Sequence, residues 1–238
     1  MSTKLLNIDD VPWRLLDIGI VLFLIISIAA GCMIATFIFI EHSDAQFSLS
    51  MFMSSIAGIF IPIFWVKTRC RAKIGALGLK KGRYFWAIDV AIGCIAAASI
   101  YGAIISNPYW DNLNLQIDSQ KIQNSWVVLF IPLTSIGFGK FILSPIAEEI
   151  FLRGFVYGYL RKRFGWLRAA VMQALISALL HLPYLQNASR WDDFLSFISY
   201  QAFIHLVLCL LYEQTKSLCA SIICHGMLNY LLYIVPLF

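Results

Sequence analysis

Long apolar runs separated by short charged loops dominate this chain of 238 residues. Hydrophobic residues make up 60% of the sequence and charged residues 13%, whereas soluble domains average about 25% charged residues. The first run, at residues 18–40, has no charge, exceeds the core of a cleavable signal peptide and is long enough to cross a bilayer. We therefore predict an all-α, polytopic membrane helical bundle of about seven transmembrane helices, at residues 15–40, 48–66, 84–106, 126–147, 166–183, 194–212 and 217–236.

Lysine and arginine predict the orientation of these helices. Seven basic residues and no acidic residue occupy the loop at residues 67–83, and four more follow the fourth run at Arg161, Lys162, Arg163 and Arg168. Under the positive-inside rule, these loops and the N-terminus are cytoplasmic. We expect an integral, multi-pass membrane protein, of the plasma membrane if the source is bacterial, whose basic loops contact membrane lipids. Because the net charge of +5 resides in these loops, it does not indicate a nucleic-acid partner.

A polar stretch at residues 107–124 divides the chain into two predicted parts. Residues 1–124 hold about three N-terminal transmembrane helices with few polar groups inside them, and residues 125–238 hold spans with many. The six cysteines are scattered without a C-x-x-C pair, so we expect neither a disulfide framework nor a zinc knuckle. No pattern indicates an oligomeric state.

Ionisable side chains inside the predicted spans mark the region where chemistry is expected. A charge at the centre of a transmembrane helix costs roughly 2.5–3.5 kcal/mol on insertion scales, and such residues usually face the interior of the bundle. The fourth run is expected to continue as helix past its charges to about residue 160. The ionisable residues placed within the hydrocarbon zone are Asp89, Lys140, Glu148, Glu149, Arg153, His181, His205 and His225, and the neutral Asn229 joins them.

Spacing assigns different roles to the two adjacent glutamates. Glu149 and Arg153 are four residues apart, so they share a helix face and can form an ion pair. Glu148 is rotated about 100° from Glu149 and is free to act as the reactive carboxylate. Lys140 lies eight residues before Glu148 and falls on the same helix face, so it could pair with Glu148 or line a cavity beside it.

The histidines supply further groups from separate helices. His225 and Asn229 share one face of the last predicted helix, and His181 ends its own helix shortly before a proline. His205 is interpreted as a polar packing group, because no spacing relates it to the others.

Carboxylate, imidazole and carboxamide groups together suit the hydrolysis of an amide bond. A carboxylate can act as general base toward water, a histidine can protonate the leaving amine, and an amide can donate hydrogen bonds to the oxyanion. Glu148, His181 and His225 are also candidate zinc ligands. However, the H-E-x-x-H spacing of many zinc proteases is missing from the sequence. Both interpretations stay open on the residues alone.

These motifs resemble the CAAX protease and bacteriocin-processing family of intramembrane proteases. The pattern Glu148-Glu149-x-x-x-Arg153, then His181, then His225-x-x-x-Asn229 is similar to the family signature across roughly residues 125–235. One position departs, since Ser177 stands where the family usually has phenylalanine. The resemblance implies a helical fold with a membrane-embedded active-site cavity, and Glu148 activating water with His181 or His225. It further implies Asn229 as oxyanion donor and a peptide or lipidated protein as substrate. Family members are commonly called metalloproteases and a metal-free glutamate mechanism is the alternative, so the resemblance leaves zinc as a possible cofactor.

Three functions are weighed on this basis. The leading hypothesis is an intramembrane endopeptidase that cleaves a membrane-associated or lipid-modified peptide, in CAAX-type or bacteriocin- or pheromone-type processing. The alternative is a non-catalytic membrane scaffold for immunity or cell-surface signalling, suggested by the departure at Ser177. A transporter would require an internal repeat of broken helices, and the sequence shows none.

Overall fold

A computed structural model describes residues 11–39, 43–79, 135–182 and 191–234, with the isolated residues 89, 92, 93, 96 and 97. Within these residues every regular element is helical, as predicted. A single 3-10 turn, Ile74–Leu77, follows the second helix. The six long helices are α1 (Leu15–Phe39), α2 (Ser43–Thr68), α3 (residues 135–164), α4 (Trp166–Leu180), α5 (Trp191–Thr215) and α6 (Leu218–Ile234).

Three of these helices are long and apolar enough to cross a membrane. The qualifying segments are Leu15–Ile38, Leu49–Thr68 and Phe194–Thr215, and two shorter apolar helices are Trp166–Leu180 and Leu218–Leu231. Large apolar side chains face outward along α1, including Phe23, Ile34 and Phe37, a surface suited to contact with lipid. Most of the predicted span at residues 84–106 and the whole polar stretch at 107–124 lie outside the described residues, so the count of seven spans stays a prediction.

Helix α3 alternates between α-helical and π-helical turns. Its α-helical parts are Ser135–Phe138, Ser144–Glu148 and Gly158–Phe164, and its π-helical parts are Gly139–Leu143 and Glu149–Tyr157. Wider π turns are uncommon and often occur at functional sites. The second π segment begins at Glu149, so the change in helical pitch falls between the two adjacent glutamates.

The segment before α1 packs onto this second π segment. The indole Nε1 of Trp13 donates to the carbonyl oxygen of Phe155 at 2.8 Å, and the two rings stack with centroids 4.9 Å apart. Both side chains are buried in the hydrophobic core, beside Leu77 and Leu218. The N-terminal segment thereby packs against α3.

A cluster of charges joins α3 to the end of α5. The guanidinium of Arg161 donates to both carboxylate oxygens of Glu213 at 2.9 Å, and the Tyr157 hydroxyl donates to Glu213 Oε2 at 2.8 Å. Because its charge is paired, Glu213 remains inside α5. The sequence interpretation placed Glu213 in the connection between the last two helices, but the helix breaks later, at Lys216, whose φ is +54°.

Glycine allows α6 to approach α3 closely. A Cβ atom added to Gly226 would lie 2.5 Å from the backbone oxygen of Phe141, a distance that real Cβ atoms essentially never show. Small residues at such crossings are typical of packed membrane helices. Gly226 directly follows His225, so this close approach also carries that imidazole toward α3.

Replacing Gly226 by alanine should therefore destabilise the bundle by roughly 1–3 kcal/mol, because a backbone atom cannot move aside cheaply. The measurement is thermal unfolding of the purified protein in detergent. Gly31→Ala on α1 is the matched control, since nothing lies within 4 Å of its added Cβ, and alanine favours a helix over glycine. Equal melting temperatures for the two variants would contradict the close approach of α6 and α3.

Candidate active site

Four helices bring five of the six predicted site residues, and His205, into one cluster. Helix α3 supplies Glu148, Glu149 and Arg153, and the end of α4 supplies His181. Helix α6 supplies His225, and α5 adds His205, which the sequence interpretation had placed outside the site. The three imidazoles lie side by side, with ring centroids 5.3 Å apart for His181 and His205 and 5.8 Å apart for His205 and His225.

Glu149 and Arg153 form the predicted ion pair and are entirely buried. Arg153 Nη1 lies 2.7 Å from Glu149 Oε1, and neither side chain has any exposed surface. The same carboxylate oxygen lies 2.8 Å from His225 Nδ1. Glu149 thus connects the guanidinium on its own helix with the imidazole of α6, and it holds both side chains in place.

Glu148 points to a different side, toward two imidazoles. Its Oε1 accepts a hydrogen bond from the Ser144 hydroxyl at 2.7 Å. Its Oε2 lies 3.8 Å from His181 Nε2 and 3.7 Å from His225 Nε2. The side chain keeps 27% of its surface exposed, against none for Glu149. Glu148 is therefore the more accessible of the two carboxylates, as its helical rotation predicted, and Ser144 is a hydrogen-bond partner of it on α3.

Hydrogen-bond partners assign the protons on His181 and His225. His181 Nδ1 lies 2.8 Å from the carbonyl oxygen of Ser177, and His225 Nδ1 faces the Glu149 carboxylate. Carbonyl and carboxylate oxygens only accept, so each Nδ1 carries a hydrogen and, in the neutral ring, each Nε2 carries a lone pair. Three electron-rich atoms therefore converge, namely Glu148 Oε2 and the two Nε2 atoms. Such a group is stabilised by a proton, a water molecule or a cation between its members.

His205 differs from His181 and His225, because its Nδ1 faces a hydrogen-bond donor and not an acceptor. It is buried, with 1% of its surface exposed, and its Nδ1 lies 2.5 Å from Arg153 Nη2. The same guanidinium nitrogen donates to the His205 carbonyl oxygen at 3.3 Å. The interpretation of His205 as a packing group missed this position, because the residue stands alone on α5 and no spacing in the sequence links it to the motifs.

The donor chemistry of the cluster fits a zinc ion at the predicted residues. Among the described residues, donor atoms of Glu148, His181 and His205 lie within 4.8 Å of one another. Arginine always donates, so His205 Nδ1 accepts, and the neutral ring then has no lone pair at Nε2 for a metal. Glu148, His181 and His225 do offer lone pairs, and the two imidazoles are backed by a carbonyl and a carboxylate, as in many zinc sites. The zinc ion itself stays a prediction.

Asn229 lies one helical turn beyond His225. Its Nδ2 donates to the backbone oxygen of Lys140 at 3.4 Å, so the amide points to the first π turn of α3 rather than to either glutamate. A carboxamide has two N–H donors, and this bond uses one of them. The second N–H would then be the group that serves the predicted role of Asn229 as oxyanion donor.

The departure at Ser177 leaves the orientation of His181 intact. It is the backbone oxygen of residue 177 that holds His181 Nδ1, so any side chain at this position could serve. The Ser177 hydroxyl is buried and accepts a hydrogen bond from Gln173 Nε2 at 2.6 Å. Gln173 in turn accepts from the Cys209 thiol. A polar network between α4 and α5 thus stands where the family pattern has an aromatic ring.

Comparison with known proteins identifies the region that carries this cluster. Residues 120–231 match the family model described as type II CAAX prenyl endopeptidase, Rce1-like. This region is therefore similar to the Rce1-like family. All six residues predicted for the site fall within the matched region, as does His205. Together with the apolar helices, this similarity indicates an integral membrane protein. No curated protein and no solved structure matches the chain significantly.

Proposed function

We propose that the protein is an intramembrane endopeptidase of the CAAX type, which hydrolyses a peptide bond near the end of a prenylated peptide or protein. The observation that carries this proposal is the convergence of Glu148 Oε2 with His181 Nε2 and His225 Nε2, at 3.8 and 3.7 Å. A region of the chain that matches an endopeptidase family supports it.

In the first step Glu148 activates a water molecule. The carboxylate accepts a proton from the water, whose oxygen forms a bond to the carbonyl carbon of the substrate. The electron pair of the carbonyl double bond moves to its oxygen, which accepts a hydrogen bond from the second N–H of Asn229. His181, held through its Nδ1, accepts the other hydrogen of the same water and fixes its direction.

In the second step the carbon–nitrogen bond breaks. The electron pair of that bond goes to the leaving nitrogen, which takes up the proton from Glu148 directly or through His225 Nε2, 3.7 Å away. The buried Glu149 carboxylate at His225 Nδ1 stabilises the ring while it carries the proton, as the carboxylate does in a catalytic triad. The oxyanion re-forms the carbonyl double bond, and the second proton of the water passes from the new carboxyl group to the amine, so the products are a carboxylate and an ammonium group.

A zinc ion, where bound, would be held by Glu148, His181 and His225. It would supply Lewis-acid activation of water. In either case the Ser144 hydroxyl orients the Glu148 carboxylate, and the Glu149–Arg153 pair fixes α3 against α6.

The test is cleavage of defined peptides by the full chain in detergent or lipid nanodiscs. One peptide carries a prenylated cysteine followed by three C-terminal residues, and its partner has the same sequence without the lipid. We expect mass spectrometry to show release of the C-terminal tripeptide from the prenylated peptide. Preferential cleavage of lipid-free peptides would instead indicate processing of the bacteriocin or pheromone type.

Failure to cleave either peptide would contradict the proposal. A deletion strain separates the enzyme from the scaffold alternative. Restoration of the lost phenotype by Glu148→Ala would favour the scaffold, and restoration by the wild-type protein alone would favour the enzyme.

A further inference from the structure

We propose that His205 donates a hydrogen bond from Nε2 to the water molecule that attacks the substrate, and that Arg153 fixes the proton of His205 on that nitrogen. This inference rests on the proposed function for the identity of the water. The geometry that points to it lies in α3, in α5 and at the end of α4.

Arg153 determines which ring nitrogen of His205 carries the hydrogen. A guanidinium group has only donors, and Arg153 Nη2 lies 2.5 Å from His205 Nδ1. Nδ1 therefore accepts and has no hydrogen of its own. An imidazolium ring is excluded in this arrangement, because its Nδ1–H would face an N–H of the guanidinium. The neutral ring then carries its hydrogen on Nε2.

Four buried atoms of the cluster have no hydrogen-bond partner in the part of the chain that the structure describes, namely Glu148 Oε2, Glu149 Oε2, Arg153 Nε and His205 Nε2. Two of them face the proposed water: His205 Nε2, a donor by the reasoning above, and Glu148 Oε2, an acceptor. A buried donor left without an acceptor is costly. His205 Nε2 needs an acceptor and Glu148 Oε2 needs a donor, and the two atoms do not bond directly. A small group that both accepts and donates a hydrogen bond is therefore expected between them.

A single water molecule satisfies both atoms at once. One carboxylate oxygen of Glu148, one ring nitrogen of His181 and one ring nitrogen of His205 lie within 4.8 Å of one another. Two hydrogen bonds of about 2.8 Å that meet at a tetrahedral angle span about 4.6 Å. The water accepts from His205 and donates its hydrogens to Glu148 and to His181 Nε2. Its second lone pair is then directed away from all three residues, toward a bound carbonyl carbon.

Two substitutions distinguish a hydrogen bond from His205 to the water from a purely packing role of this side chain. In His205→Asn the amide oxygen can still accept from Arg153, but the side chain no longer reaches the water. In His205→Gln an amide N–H reaches the position of Nε2. We expect kcat of the asparagine variant to fall roughly 10–100-fold, with KM and the melting temperature close to wild type, and the glutamine variant to recover most of the loss. Equal activity of the asparagine variant and wild type, or equal losses in both variants, would overturn the proposal.

A spectroscopic test does not depend on activity. The chain has four histidines, so ¹⁵N-histidine NMR of the full protein in detergent yields few signals, and His205→Asn assigns those of residue 205. We expect His205 to be protonated at Nε2 and bare at Nδ1, and His181 and His225 to show the reverse. A His205 ring protonated at Nδ1 would overturn the proposal. If the wild-type protein cleaved no peptide, the proposed function would be contradicted. The NMR measurement would still determine which ring nitrogen of His205 carries the hydrogen.

Discussion

Replacing Glu148 by glutamine should lower kcat for peptide cleavage by roughly 10²–10⁴-fold, the usual contribution of a general base. Glutamine has the same shape, and its amide oxygen can still accept from Ser144. It cannot take a proton from water. KM should change little, because Glu148 acts on the water and not on the bound peptide. Steady-state cleavage of the prenylated peptide measures both constants.

The stability of this variant is the first control. Because 27% of the Glu148 side chain is exposed, its melting temperature should stay close to that of wild type. Ser144→Ala provides a graded comparison, since it removes one hydrogen bond that orients the carboxylate and should lower kcat only several-fold. Turnover at the wild-type rate by Glu148→Gln would exclude this carboxylate as the base.

Replacing Arg153 by methionine should have the largest effect on stability, a loss of about 3–5 kcal/mol in the free energy of unfolding. The substitution leaves the Glu149 carboxylate in the interior without its guanidinium, and neither side chain has contact with solvent. It also removes the donor that contacts His205 Nδ1. Denaturation of the purified protein in mixed micelles measures the loss.

A second ion pair provides the matched control. Arg161→Met breaks the pair with Glu213, whose side chains are 17% and 14% exposed, and Glu213 keeps Tyr157 and Lys216 as partners. Its loss of stability should be clearly smaller. The double variant Glu149→Gln/Arg153→Met should recover part of the loss, because no unpaired charge then remains. Equal losses for Arg153→Met and Arg161→Met would show that burial of the first pair has no energetic consequence.

Much of the fold could be predicted from local patterns. Hydropathy located α1, α2, α4, α5 and α6 to within a few residues, because a helix in lipid must be apolar over its whole length. It misjudged the end of α5, where the ion pair of Glu213 keeps a charge inside the helix. Spacing could not reveal the π turns of α3, which depend on how that helix packs against its neighbours.

The candidate site, too, was predicted in part from the sequence. Helical spacing correctly paired Glu149 with Arg153 and separated Glu148 from both, since residues on one helix have a known rotation. It did not identify Ser144 as the partner of Glu148, although the spacing is the same i, i+4, because hydropathy draws attention to charges rather than to hydroxyl groups.

By itself, therefore, the sequence determined a helical membrane protein, its charged motifs and the similarity of residues 120–231 to the Rce1-like family. These features are local, since they follow from hydropathy and from spacing along one helix. Tertiary structure alone decided that His225 binds Glu149, 76 residues away, and that His205 contacts Arg153. Those contacts join separate helices, and their geometry depends on close approaches such as that of Gly226 to Phe141, which no pattern along the chain encodes.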